Sequence, residues 1–268
     1  MNITIYKSSL KKSRNFLLST AVCAVGLILC FAALFPSVAS GNSLADLLKT
    51  LPAGMLNAIG MKGDVRNFND YLNMNFYNSV YLYLLMVYVI LFSASLIAKP
   101  MEDTSLAFYL NSPVSRKKYF YSQAIVFATG FAGICVLSVL SGIASAKIFA
   151  GGNPFSAAEF LKDNAMAGCI FLFLGSLCLL FSAVSKKSGE ATMYSSAVIL
   201  TEYFLDMLVR VSSQVSWLKY FTVFTLFHTD RIKDASVSFG LECGILIAVS
   251  LVITVGAAEL FKRRDLYL

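Results

Sequence analysis

The chain has 268 residues, of which 57% are hydrophobic and only 14% are charged, against about 25% charged residues in ordinary soluble domains. This composition excludes an ordinary soluble domain. A helix that spans a bilayer needs about 20 mostly apolar residues, and six windows of the sequence reach that length. Because backbone groups in lipid must find partners within their own segment, the sequence predicts an all-α integral membrane fold.

The six predicted spans form a single transmembrane domain over residues 1–268. In chain order the spans cover about residues 16–35, 76–98, 121–146, 165–184, 191–209 and 240–260. Apolar and basic residues before the first span favour a short N-terminal helix on the membrane surface. The same region loosely resembles a secretory signal peptide, whose cleavage would leave five spans and is kept as an alternative.

Basic side chains are distributed unevenly about these spans. More than half of the 22 Lys and Arg residues lie in four short segments that this topology places on one side. The segments precede span one, join spans two and three, join spans four and five, and follow span six. The positive-inside rule therefore predicts a multi-pass protein of the cytoplasmic membrane with both termini in the cytoplasm. The net charge of +7 is thus explained without a nucleic-acid partner.

The segment MEDTSLAFYL (residues 101–110) predicts a short cytoplasmic helix between spans two and three. Glu102 and Asp103 suit the positive end of the helix dipole, and Asn-Ser-Pro at residues 111–113 ends the helix. Apolar side chains in its second half offer contact to a soluble partner. The basic residues that follow anchor span three at the inner surface.

Span five carries charged residues at helical spacing. Glu202, Asp206 and Arg210 are separated by four residues each, so they share one helix face. Each charge near the bilayer centre costs about 2.5 to 3.5 kcal/mol, so this face should point into the bundle, toward a partner or toward water. Two interpretations stay open: an Asp206–Arg210 pair that orients the helix, or a polar path for cargo along Glu202 and Asp206.

The sequence SWLKYFTVFTLFH (residues 216–228) is aromatic and apolar but too short to cross a bilayer. It predicts a re-entrant or interfacial element on the outer side, where Trp and Tyr favour the headgroup level. The sequence contains no GxxxxGK[ST], HExxH or GxSxG motif and one histidine, His228. We therefore expect no catalytic residue, no metal site and no cofactor in this chain.

Residues 99–118 resemble the first intracellular loop of the permeases of bacterial ABC-2-type transporters. In both, an acidic residue precedes a short helix with Thr and Leu, and a Pro-Val-Ser-Arg turn leads into span three. LPAGMLNAIG (residues 51–60) and FKRRDL (residues 261–266) are also similar to segments of that family. The chain departs from the family pattern at residues 103–105, which read Asp-Thr-Ser, and at residues 222–224, which read Thr-Val-Phe. The matching loop residues are Glu102, Thr104, Leu106, Phe108, Tyr109, Leu110, Pro113 and Arg116.

The resemblance implies an ATP-driven exporter in which residues 101–110 form a coupling helix that docks on a separate ATPase. Two permease chains, alike or different, would pair with two ATPase subunits, which bind ATP and Mg²⁺. The cargo, a peptide, antibiotic or lipid-like molecule, would cross near spans two and five. Its candidate contacts are Glu202, Asp206, Tyr81 and Tyr88.

Three other functions are kept as alternatives. A proton-coupled secondary transporter would use Glu202 and Asp206 as proton carriers. An intramembrane enzyme is disfavoured, because no nucleophile or metal constellation is present. A membrane anchor or sensor would bind a soluble partner without transporting anything.

Overall fold

The computed structural model describes residues 2–39, 67–103, 105–106, 114–211, 213–227 and 238–264, and all regular elements in these ranges are helical. A π-helical segment, Asn73–Tyr81, and two 3₁₀ helices, Ser213–Tyr220 and Val223–Phe227, accompany the α-helices. The α-helices of the described ranges are α1 (Ile3–Ala39), α2 (Phe68–Leu72), α3 (Leu82–Leu96), α4 (Ala98–Glu102), α5 (Arg116–Phe149), α6 (Ala157–Val184), α7 (Ser188–Val211) and α8 (Phe239–Arg263).

Five of the described helical stretches are long and apolar enough to cross a membrane, which confirms a multi-pass, all-α membrane protein. The predicted fifth span lies in α7, which is about 36 Å long but is not among these five stretches, so the six-span layout stays a prediction. α7 is less apolar than the other long helices because its last turns carry charged residues. The five stretches are Ile3–Pro36, Leu82–Glu102, Arg116–Phe149, Ala157–Val184 and Phe239–Arg263.

The N-terminal segment differs from the prediction of a separate surface helix. Residues 3–15 continue without a break into the rest of α1, because neither Gly nor Pro interrupts the sequence before Gly26. Ser9 is buried, and its hydroxyl accepts a hydrogen bond of 2.9 Å from the side-chain amide of Gln123. This first part of α1 therefore packs on α5.

The long helices form a bundle in which α1 and α5 run parallel, as α6 and α8 do, while α3 and α7 run antiparallel. α1 packs along α5, α8 packs along α6, and α3 lies against α6 and α7. The backbone N–H of Asn2 donates to Ser122 Oγ over 2.9 Å, and Arg116 donates to the carbonyl of Arg264 over 2.6 Å. The first and last described residues thus lie at the same end of the bundle, near the start of α5.

Glycines permit the close approach of α5 and α6. A Cβ atom at Gly175 would lie 2.2 Å from Cζ of Phe127, and one at Gly142 would lie 2.1 Å from Cζ of Phe160. At each glycine, a phenylalanine ring of one helix therefore packs directly against the backbone of the other. Small residues allow such close contacts between membrane helices. These two contacts, at different positions along the helices, fix α5 relative to α6.

Candidate functional site

Three of the eight predicted coupling residues, Glu102, Leu106 and Arg116, lie in the described part of the chain. Leu106 is completely buried in the main hydrophobic core, so it anchors the loop to its own bundle. The coupling helix over residues 101–110 stays a prediction. The other predicted residues, Thr104, Phe108, Tyr109, Leu110 and Pro113, lie outside the described residues.

Glu102 ends α4 and contacts the first residue of α7. Its carboxylate accepts a hydrogen bond of 2.9 Å from the backbone N–H of Ser188 and another from the Ser188 hydroxyl. The first N–H groups of a helix have no partner within the helix, and a carboxylate also suits the positive end of the helix dipole. Glu102 therefore joins the loop after α4 to the N-terminus of α7.

Arg116, the first residue of α5, holds the end of α8. Its Nη1 donates to the backbone carbonyl of Arg264 over 2.6 Å. The Arg264 side chain in turn donates to the carbonyls of Ala183 and Ser185 over 2.8 and 2.7 Å. These carbonyls belong to the end of α6, where backbone oxygens lack partners within the helix and a positive charge suits the helix dipole.

Burial lowers the pKa of the Arg264 guanidinium below its usual value. A guanidinium nevertheless stays protonated in proteins, so Arg264 remains a cation at neutral pH. Its charge and planar donors bind the end of α6 in the described structure. We call the residues Glu102, Ser188, Arg116, Arg264 and Ser185 the helix-end junction.

The acidic side chains Glu202 and Asp206 of α7 bind partners within the chain. Asp206 is completely buried and forms an ion pair with Arg210, in which Arg210 Nε and Nη2 lie 2.8 and 2.7 Å from Asp206 Oδ2. The hydroxyl of Thr225 donates to the other oxygen of Asp206 over 3.2 Å. Glu202 accepts a hydrogen bond of 3.0 Å from the backbone N–H of Val223.

These contacts hold the second 3₁₀ helix against α7. Thr222 adds a hydrogen bond of 2.9 Å to the backbone carbonyl of Glu202, and the rings of Phe224 and Phe227 are buried. Phe224 packs edge-on against Phe171 of α6. Residues 222–227 thus pack on the bundle, whereas Trp217, Tyr220 and Phe221 are exposed. His228 lies outside the described residues.

The tyrosines of the π-helical segment and α3 include both buried and exposed side chains. Tyr81 and Tyr88 are each 1% exposed and pack among aromatic rings inside the chain. Their role in a cargo path stays a prediction. Tyr83 is 47% exposed, and its hydroxyl lies 2.8 Å from that of Tyr203 on α7, so these two form the exposed tyrosine contact between α3 and α7.

A comparison with protein families matches residues 9–266 to the model described as "ABC-2 family transporter protein". The chain belongs to the ABC-2 transporter family. Family membership confirms the resemblance found in the loop between spans two and three. A search of curated proteins gave no significant match.

The ABC-2 family supplies the membrane component of ABC-type transporters, a component that is not itself catalytic and typically works in a complex with an ATPase. In this ABC-2 permease, the sequence places Arg264 only among the basic residues that follow the last span. Its partners Ala183 and Ser185 are about 80 positions away in the sequence. Helical spacing relates only neighbours three or four residues apart, so no local signal indicated this contact.

Proposed function

We propose that this ABC-2 permease is the transmembrane subunit of an ATP-driven exporter, coupled to a separate ATPase through residues 101–110. Two permease chains and two ATPase subunits form the complex, and the ATPase subunits bind ATP and Mg²⁺. The complex lies in the cytoplasmic membrane with both permease termini in the cytoplasm, since the basic segments cluster at that side.

The helix-end junction is the observation that carries this proposal. The loop that holds residues 101–110 begins at Glu102, which binds the start of α7. It ends before Arg116, which binds the end of α8 and, through Arg264, the end of α6. Movement of residues 101–110 by an ATPase would therefore act on α7 through Glu102, and on α8 and α6 through Arg116 and Arg264.

The cargo path is proposed to follow α3 and α7, between two permease chains. The exposed Tyr83–Tyr203 contact and the exposed ring of Phe204 give this surface an aromatic, apolar character. Glu202 and Asp206 lie on the same helix and tie it to the second 3₁₀ helix. We propose that this 3₁₀ helix lies re-entrant at the outer side, and that the cargo is a peptide, antibiotic or lipid-like molecule.

A proton-coupled transporter is the second function considered. It needs Glu202 and Asp206 to exchange protons with water during transport. Asp206 is instead buried in an ion pair with Arg210, and family membership favours an ABC-type permease. The ATP-driven mechanism is therefore the one that we propose.

Replacing both Phe108 and Tyr109 by alanine should reduce copurification of the ATPase about tenfold or more. Large aromatic side chains dominate binding energy at protein interfaces, and a loss of about 1.4 kcal/mol or more corresponds to this factor. The measurement is quantitative affinity purification from membranes with equal amounts of inserted permease.

The matched control replaces Tyr220 and Phe221, an exposed aromatic pair near the opposite end of α7. Copurification with this control should equal that of the wild type. If the Phe108/Tyr109 variant retains the ATPase as well as the control does, residues 101–110 are not the coupling site.

A further inference from the structure

An apolar groove of about 310 Å³ opens between α5, α6 and α8. Its floor includes Ala124, Ala128 and Ser176, and its rim includes Leu251 and Val255 of α8, which are 62% and 56% exposed. All three helices are long and apolar enough to span the membrane. The groove therefore opens toward the space that lipid chains occupy.

The two polar side chains that α8 contributes to the groove form hydrogen bonds within their own helix. The Ser250 hydroxyl donates to the carbonyl of Leu246 over 2.7 Å, and the Thr254 hydroxyl donates to the carbonyl of Ser250 over 2.7 Å. Both donors are thus satisfied by their own helix. The surface that remains suits hydrocarbon.

A charged cluster closes one end of this groove. Lys117 lies one helical turn before the groove residue Tyr121 on α5, and Glu259 lies one turn after Val255 on α8. Lys117 and Glu259 form an ion pair, and Arg263 Nε donates to the other oxygen of Glu259 over 3.1 Å. This cluster has two positive charges against one negative charge, and the Lys117 and Arg263 side chains are 41% and 76% exposed.

The groove and the charged cluster together match the depth of one leaflet of a bilayer. Lys117 and Ala128 are separated by eleven positions on α5, which corresponds to about 17 Å along a helix. Half of the hydrocarbon core measures about 15 Å. A chain that fills the groove would therefore begin at the charged cluster and end near the middle of the membrane.

We propose that this groove binds an anionic phospholipid, with one acyl chain along α5 and α8 and the phosphate at Lys117 and Arg263. Glu259 positions both cations through its two oxygens. A transmembrane helix of another subunit fits less well, because it would cover the charged cluster with apolar surface and remove these charges from water. This inference is independent of the proposed coupling to an ATPase.

Fluorescence quenching by brominated lipid tests the proposal. The permease, with its single tryptophan replaced by the substitution Trp217→Phe, is reconstituted in phosphatidylcholine vesicles that contain dibrominated phosphatidylglycerol or dibrominated phosphatidylcholine. Leu251→Trp places a reporter at the groove. Val252→Trp is the matched control at the same depth, because Val252 is exposed but is not part of the groove.

At Leu251→Trp the anionic lipid should bind about fivefold more strongly than phosphatidylcholine, the factor expected from one unbalanced basic side chain near the lipid surface. At Val252→Trp the two lipids should bind equally. Adding Lys117→Gln and Arg263→Gln should abolish the preference at Leu251→Trp. Adding Lys162→Gln and Lys219→Gln, which remove the same charge from exposed positions elsewhere, should preserve it.

Three results would overturn the proposal. Equal quenching by both lipids at the groove reporter would show no anionic site. Weak quenching by either lipid would show that protein fills the groove. Loss of the preference on addition of millimolar inorganic phosphate would assign the cations to a free anion.

Discussion

The Asp206→Ala variant should unfold at a temperature about 10 °C below that of the wild-type permease. Asp206 is completely buried, and its partner Arg210 is only 9% exposed. Removing one member of a buried ion pair leaves an unpaired charge and costs about 3 to 5 kcal/mol. For a chain of this size each kcal/mol corresponds to about 2 to 4 °C. Thermal unfolding of the purified variant in detergent measures this effect.

The matched control is Glu259→Ala. Glu259 and Arg263 are also an acid and an arginine four residues apart on one helix, but both are partly exposed. Glu259 also pairs with Lys117. Each such exposed pair contributes at most about 1 kcal/mol, so the control should lose clearly less stability than Asp206→Ala. A drop for Asp206→Ala no larger than for Glu259→Ala would contradict a structural role for the buried pair.

The double variant Asp206→Leu with Arg210→Leu tests whether the buried ion pair serves stability or transport. Replacing both members of a buried ion pair by apolar residues is often neutral or stabilising, so this variant should regain most of the lost stability. If it also retains ATP-dependent transport, Asp206 holds the second 3₁₀ helix through Thr225 and Arg210 and does not carry protons. A stable double variant without transport would assign Asp206 to the cargo path.

The Arg264→Ala variant should increase local hydrogen exchange at the end of α6 about tenfold or more. The guanidinium of Arg264 binds the carbonyls of Ala183 and Ser185, and a hydrogen bond to a charged group contributes about 1.5 to 3 kcal/mol. Without these bonds the last turn of α6 frays, and the connection to the loop before α5 is lost. We therefore expect coupling between ATP hydrolysis and transport to weaken while insertion is unchanged.

Arg263→Ala is the control for this measurement. Arg263 is adjacent and carries the same charge, but its side chain is 76% exposed and pairs only with Glu259 in the described structure. Exchange at residues 181–187 should match the wild type in this control. Equal exchange in the Arg264 and Arg263 variants would show that Arg264 does not hold the end of α6.

Much of the helical framework follows from the sequence, because long apolar runs have few alternatives to helices in a membrane. α1, α3 with α4, α5, α6 and α8 contain or overlap the predicted spans. The continuous N-terminal helix was not foreseen, since the basic residues before span one suggested a surface helix. Contacts such as that of Ser9 with Gln123 depend on tertiary packing.

The candidate site was only partly predictable for a related reason. The spacing of Asp206 and Arg210 predicts their ion pair, because residues four apart meet on a helix. By contrast, Glu102 meets Ser188 86 positions later, and nothing local to either residue indicates that contact. The burial of Tyr88 likewise depends on which face of its helix meets α1 and α5, where it packs on Phe16, Phe127 and Phe131.

Affinity purification of the wild-type permease in mild detergent, followed by an assay of ATP hydrolysis, tests directly whether the permease works with a separate ATPase. We expect a distinct ATPase to copurify with the permease and ATP hydrolysis to accompany the complex. An intact permease preparation without an ATPase, whose transport in vesicles follows an imposed proton gradient, would rule out the ATP-driven mechanism and support the proton-coupled alternative.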